Sequence, residues 1–209
     1  EIASALFSEE IKKHALTHLG GDPDEHDIFL FNRLTAALLT TADVVIAPGD
    51  IVIGAGPSYS HPAVQRAVTH SHGDFIDTAG LGGFKNAIKS LDKVDVVFLT
   101  RLAVTYEILP ENELNEIIGT AHGLGARIIL DDAGGARVGP ACFNQPKMLE
   151  LGIDIGATGL DKYGTTGPRL GLLGGKSDIV ARIRARAYEM GVEARQMLYP
   201  AVEQSLKNY

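Results

Sequence analysis

The 209-residue sequence has no tryptophan and a single cysteine, Cys142. One thiol can build neither a disulfide framework nor a cysteine-ligated zinc site. It fits a reducing compartment without requiring one, and a cytoplasmic location is the matching expectation. No apolar run reaches the eighteen or so residues that a membrane span needs. Basic charge is not in excess: 19 Lys and Arg against 26 Asp and Glu leave a net charge of −7. That argues against a chain-wide basic surface for nucleic acid, while a local patch stays open. There is no charged start followed by a hydrophobic core, so no signal peptide is read. There is no initiator methionine either, and a start at Glu1 suggests a fragment or a processed chain. Internal repeats, low-complexity linkers and a collagen period among the 24 glycines are also missing.

What is present is ordinary globular composition, 45% hydrophobic and 22% charged. Apolar positions from Ile2 to Leu19 form a loose helical stripe, stopped by Gly20-Gly21-Asp22-Pro23. Short apolar runs then alternate with helical segments. Strands are expected at 28–31, 51–53, 75–78, 94–100, 127–131, 154–158 and 170–174. Helices are expected at 35–42 with Thr35 as a possible cap, at 61–69, 82–90, 111–122 and 145–151, and from Ser177, which can cap it, to about Met190. Uniformly apolar strands separated by helices predict an α/β fold, a mainly parallel sheet covered on both faces. Ligands of such sheets bind beyond the carboxyl ends of the strands.

The richest stretch lies between Ile128 and Gly175. One apolar strand delivers Asp131 and Asp132, followed by Ala133-Gly134-Gly135-Ala136-Arg137. Another leads to Gly159-Leu160-Asp161-Lys162, then Gly164, Gly167-Pro168-Arg169 and a glycine-rich strand. A lysine at a strand end among small residues can form a Schiff base when partly desolvated. A carboxylate at a neighbouring strand end can hold a pyridinium nitrogen protonated, and pyridoxal phosphate chemistry uses both. The same spacing also suits a surface Lys162 paired with Asp161, with the two aspartates capping a loop.

Ile129-Leu130-Asp131-Asp132-Ala133-Gly134-Gly135-Ala136-Arg137-Val138, Phe143-Asn144-Gln145-Pro146, Leu151-Gly152-Ile153-Asp154, Asp161-Lys162, Gly167-Pro168-Arg169 and Gly174-Gly175-Lys176 together resemble a known family. They are similar to archaeal pyridoxal phosphate-dependent proteins related to bacterial seryl-tRNA selenium transferase, or selenocysteine synthase. The resemblance runs from about Phe29 to Tyr209 and is more specific in its second half. It implies the large, cofactor-binding domain of the aspartate-aminotransferase-like fold (fold type I). It implies Lys162 as the internal aldimine lysine and Asp131 as the partner of the pyridine nitrogen, with Asp132 in a supporting or loop position. Asp161 stands before the lysine, as in the selenium-transferase group, where much of the wider superfamily has serine or histidine.

Phe31-Asn32-Arg33-Leu34-Thr35-Ala36-Ala37 also fits this resemblance, because a strand there feeds a helix N-terminus suited to a phosphate. The phosphate is expected at Thr35 and Ala36, with Asn32 or Arg33 close by. His61 is the candidate to stack on the cofactor ring, and Tyr59 could do the same. Ser60 and Pro62 would meanwhile start a helix. Arg169 could clamp a phosphate or a substrate carboxylate, or form a plain surface ion pair. Arg137 is a weaker candidate of the same kind.

Other signals carry little. Gly175-Lys176-Ser177 lacks the first glycine of a P-loop, and Gly54-Ala55-Gly56 lacks the third glycine of a dinucleotide fingerprint. His70-Ser71-His72 reads as a solvated loop, and no metal site is expected. Cys142 reads as structural. Arg182, Arg184 and Arg186 are spread around a helix and read as a solvated face.

The expectation is therefore a pyridoxal phosphate-dependent transferase or lyase. It would act on a small amine, an amino acid or an aminoacyl ester through an aldimine and elimination chemistry. The domain division expected is an N-terminal helix and linker at 1–27, the cofactor-binding domain at 28–190, and at 191–209 the start of a connection to a C-terminal small domain. By resemblance a homodimer or larger homo-oligomer is expected, with no membrane partner, and tRNA enters only through the family analogy. Three rivals stand: a lyase or aminotransferase of a small amine, a non-catalytic fragment or interaction domain, and a magnesium site built on Asp131 and Asp132.

Overall fold

The computed structural model describes residues 2–163 and 166–208. Gly164, one of the small residues expected to follow the lysine, lies outside them, as do the end residues Glu1 and Tyr209. Among the described residues seven strands form one sheet: β1 (His26–Phe31), β2 (Ile51–Gly56), β3 (Asp74–Ala79), β4 (Val96–Thr100), β5 (Arg127–Asp131), β6 (Ile155–Gly159) and β7 (Gly171–Lys176). Their order is β1-β7-β6-β5-β4-β2-β3. Neighbours from β3 to β6 are parallel, whereas β7 is antiparallel to both β6 and β1. A strand reversed relative to both neighbours leaves those neighbours pointing the same way. β1 therefore ends at the same sheet edge as β4, β5 and β6.

Eight helices among the described residues cover the two faces: α1 (Ile2–Leu19), α2 (Leu34–Val45), α3 (Pro62–His70), α4 (Gly80–Ile88), α5 (Glu111–Gly123), α6 (Gly135–Phe143), α7 (Ser177–Met190) and α8 (Tyr199–Lys207). Side chains alternate across a strand, and this divides the core. Phe29, Phe31, Phe98, Ile129 and Leu173 pack under α2, α3 and α7. Leu30, Leu99, Ile128, Leu130 and Leu172 pack under α1, α4, α5 and α8. Strands buried on both faces are what a parallel sheet with helical cover requires.

Several local expectations change. The helix expected at 145–151 is instead α6, with only a 3₁₀ turn at Leu149–Leu151. Two glycines and Pro140 make α6 a poor helix by propensity, but its buried Ala136, Arg137 and Gly139 hold it on the core. Asn144 ends it in the left-handed region, at φ 53°. Helix α8 was not expected; Val202 and Leu206 bury it in the same core as α1. Three caps also differ. Arg33, not Thr35, takes the cap position of α2. The His61 ring, not Ser60, caps α3, because Ser60 is engaged by Asp77 at 2.7 Å. Lys176 precedes α7, and Ser177 donates to the Glu25 carbonyl.

The arginines of α7 do not form a free basic face: Arg184 pairs with Asp27, Arg186 with Asp43, and Arg182 donates to the Val44 carbonyl. Cys142 is exposed rather than built into the core.

Candidate active site

Four chain segments meet at the carboxyl edge of the sheet. β5 ends in Asp131, and β6 runs into Leu160-Asp161-Lys162. β1 runs into Asn32-Arg33 and α2, and reversed β7 starts there after Gly167-Pro168-Arg169-Leu170. Between them lies a cavity of about 240 Å³ lined by Arg33, Thr35, His61, Asp131, Lys162 and Arg169, among others. Asn32 and Ala36 are not among its lining residues. The backbone N–H of Asn32 is bonded to the Val192 carbonyl, and Ala36 lies in the first turn of α2. Tyr59 is half-exposed outside the cavity.

Strand alternation decides what the two adjacent acids do. Asp131 continues the row of Ile129 and points into the cavity. Asp132 turns to the opposite side, where its Oδ2 accepts from Arg101 Nη2 at 2.7 Å, with both side chains fully buried. Arg101 Nη1 also donates to the Pro146 carbonyl at 2.8 Å. The carboxyl groups therefore do not converge on one cation, which removes the magnesium reading. Among the described residues no cluster of three or more potential metal ligands occurs. Sequence reasoning missed Arg101, although it directly follows an apolar strand, in the position where such searches look.

Burial pushes the Asp131 carboxyl up to about 7, reinforced by the charge of Asp132 and opposed by the Ala133 N–H and Lys162. Its Oδ1 is buried and has no hydrogen-bond partner among the described residues. Burial also raises Asp132, to about 6, against the pull of Arg101. The His61 ring is held below its ordinary value by burial, then by Arg66 and Lys162. Its Nδ1 accepts from the Ala63 N–H at 3.0 Å, so the neutral ring carries its proton on Nε2.

Helix α2 begins with no side-chain cap. Its first N–H groups and its dipole thus face the cavity end as a ready anion site. Gly171 permits this placement: a Cβ there would lie 2.8 Å from the Arg33 carbonyl oxygen and 2.9 Å from the Leu34 Cα. Arg169 is exposed, with its Nε 3.7 Å from Asp161 Oδ2. Arg137 does not reach the cavity as a clamp. It is buried, and its Nη1 donates to the carbonyls of Gly159 (3.2 Å) and Lys162 (3.0 Å).

The sheet order and its helical cover define a class of architecture, a mostly parallel α/β fold that this chain shares with solved lyase and synthase structures. An apo methionine gamma lyase from Micromonospora echinospora superposes with a TM-score of 0.75 at 18% identity, over 95% of this chain and 52% of that one. In sequence, the chain is 29% identical over 209 residues to a protein of Methanothermobacter thermautotrophicus named UPF0425 pyridoxal phosphate-dependent protein. That match covers 100% of this chain and 53% of the relative. A protein of the same name from Methanosphaera stadtmanae is 29% identical over 206 residues, 98% of this chain and 51% of its own length. The chain spans about half the length of the curated relatives it matches. No protein-family model matches it. No helix among the described residues is long and apolar enough to cross a membrane.

Proposed function

We propose that this chain forms the pyridoxal phosphate-binding part of an enzyme acting on an amine-bearing, amino-acid-like substrate. The observation that carries the reading is one cavity holding Lys162, the buried Asp131 carboxyl whose Oδ1 has no partner among the described residues, and the N-terminus of α2 without a side-chain cap. A buried carboxyl oxygen without a partner is costly unless a ligand satisfies it. A cationic ring N–H would do so and would draw the Asp131 pKa down. The names of the archaeal relatives support the same cofactor.

When bound, the cofactor supplies an electron sink for negative charge developing next to the substrate nitrogen. Asp131 would hold the cofactor at its ring nitrogen, and the N–H groups of the first turn of α2, with Thr35, would hold its phosphate. His61, fixed through its Nδ1, would border the ring. Lys162 would hold the cofactor through Nζ and would be the base for a proton at the substrate Cα. Arg169, with Arg33 on the other wall, holds the substrate carboxylate by paired N–H donors.

The finer reading is a β-elimination on a seryl ester, as in the selenium transferases, with tRNA as carrier. The net charge of −7 weighs against an RNA partner. The small cavity favours the second reading, a lyase or aminotransferase of a small free amino acid. RNA binding measured at two salt concentrations separates the two: no binding at low salt removes the tRNA reading. A homodimer or larger assembly belongs to the same proposal, and light scattering on the purified chain tests it.

The deciding experiment adds pyridoxal phosphate to the wild type and to Lys162→Ala, records the visible spectrum, and treats each with borohydride. The expected result is a violet-blue band in the wild type and, by peptide mass, cofactor fixed on Lys162. Absence of fixation in a folded wild-type chain overturns the reading. Fixation without turnover of any amine favours a non-catalytic domain.

A further inference from the structure

Resting on the cofactor reading above, we propose that Arg137 and Gly134 are positioning residues for Lys162. Gly134 lies in the turn that follows Asp131 and Arg137 in the first turn of α6, and together they hold the backbone that carries the lysine. Helix α1 takes part through His18.

The loop after β6 leaves the sheet at Gly159, so its backbone needs other partners. The segment 133–137, a turn running into α6, supplies them. The Ala133 carbonyl accepts from the Gly159 N–H at 3.3 Å and from Thr158 Oγ1 at 3.2 Å. Arg137 Nη1 then bonds the carbonyls of Gly159 and Lys162. A guanidinium with 2% exposure, spent on main-chain oxygens, fixes a backbone and not a substrate.

Its other edge is supported from α1. Arg137 Nη2 lies 3.4 Å from His18 Nε2. A guanidinium only donates, so that nitrogen must be an acceptor and the ring neutral. Burial, with the charges of Arg137 and Lys147, keeps it neutral by lowering the His18 pKa to about 3.

The second grip is steric. A Cβ on Gly134 would sit 2.1 Å and 2.3 Å from two ring carbons of Tyr163. Only a residue without a side chain lets the Tyr163 ring lie against the turn. Tyr163 itself has φ 29°, a backbone state that a tyrosine holds only when its surroundings impose it. Tyr106 braces the ring from outside, edge to face at 6.3 Å. Lys162 is thus held by its own carbonyl and by the residue after it, and the short segment 134–137 supplies both contacts. That segment follows closely on Asp131 at the end of β5. Any shift of it moves the ring-nitrogen partner and the lysine together.

The test uses the full chain with added pyridoxal phosphate and follows three readouts: cofactor affinity, the rate of borohydride-fixable attachment to Lys162, and the pH midpoint of the bound cofactor's visible band. The variants are Arg137→Lys, Gly134→Ala and Gly134→Ala with Tyr163→Ala, each checked for folding by circular dichroism. Val180→Ala, in the core under α7 and away from the cavity, serves as the destabilised control. Arg137→Lys and Gly134→Ala are expected to weaken binding about tenfold or more and to move the midpoint by about one unit. Adding Tyr163→Ala to Gly134→Ala is expected to return the midpoint toward wild type, and Val180→Ala to leave it unmoved. Wild-type midpoint and attachment rate in folded Arg137→Lys and Gly134→Ala overturn the proposal. If Arg137→Lys does not fold, the Gly134 and Tyr163 variants decide alone. A wild type that binds no cofactor overturns the cofactor reading itself, whereas binding with unaffected variants removes only the positioning role.

Discussion

Asp131 and Asp132 are neighbours in sequence and belong to opposite faces of the sheet. The first lines the cavity with its Oδ1 unpartnered among the described residues, and the second is locked to Arg101 at 2.7 Å. Two chemically identical side chains thereby take separate duties, one open to a ligand and one structural. The split follows from the two-residue period of a strand.

Asp131 is held at about 7, against 3.8 for an ordinary aspartate. The folded chain keeps this proton to higher pH than the unfolded chain does. Its favourable contribution is present at low pH and is lost as pH rises from about 4 to about 7. Asp131→Asn does not titrate, so its stability relative to wild type is expected to grow across that window. The slope is about 1.4 kcal/mol per pH unit, or about 4 °C per unit in a domain of this size. Thermal melts of both cofactor-free proteins at several pH values check this. A stability difference that does not change with pH counts against a protonated Asp131. The same substitution is expected to abolish cofactor-dependent turnover.

His18 has the opposite sign. Its pKa falls from 6.5 to about 3 on folding, because burial disfavours the imidazolium. Its contribution is complete above about pH 6.5 and is lost as pH falls toward 3. His18→Gln keeps an acceptor for Arg137 but does not titrate. Urea melts between pH 7 and pH 4 are expected to show wild type losing about 1.4 kcal/mol per pH unit relative to the variant. Parallel curves for the two proteins would mean that His18 is not buried neutral.

The Arg101–Asp132 pair is fully buried on both sides. Arg101→Met leaves a buried carboxylate alone and is expected to cost about 3–5 kcal/mol. Arg101→Met combined with Asp132→Leu removes both charges and is expected to recover most of that loss. A double-mutant cycle in denaturant measures the coupling, and simple additivity of the two single losses would contradict it.

Gly171→Ala puts a methyl group against the Arg33 carbonyl and pushes the start of α2 off the sheet. The expected outcome is a stability loss of about 1–3 kcal/mol. Inorganic phosphate is also expected to bind more weakly, and calorimetric titration measures that. Unchanged phosphate binding would show that the start of α2 does not hold the anion.

Much of the layout is legible locally. Apolar runs bounded by glycine and charge mark most of the strands, and Asp131 and Lys162 stand out because each follows such a run. Local pattern fails at α6, where Gly135, Gly139 and Pro140 speak against a helix that buried Arg137 sustains. It fails again at α8, which is stable only because Val202 and Leu206 find α1. Caps were misassigned at Thr35, Ser60 and Ser177: α2 already starts at Leu34, Ser60 bonds Asp77 and Ser177 bonds the Glu25 carbonyl, choices that only the packed chain makes.

By itself the sequence determines an α/β chain whose strand ends carry an acid and a lysine, because periodicity and strand-end position are local properties. Only the tertiary structure decides that α2, more than ninety residues before Asp131, opens onto the same cavity. That outcome depends on β7 running against both neighbours, which turns β1 parallel to β5 and β6 and brings Thr35 to their carboxyl edge. Strand direction is set by long-range pairing and crossover geometry, and no window of sequence contains it.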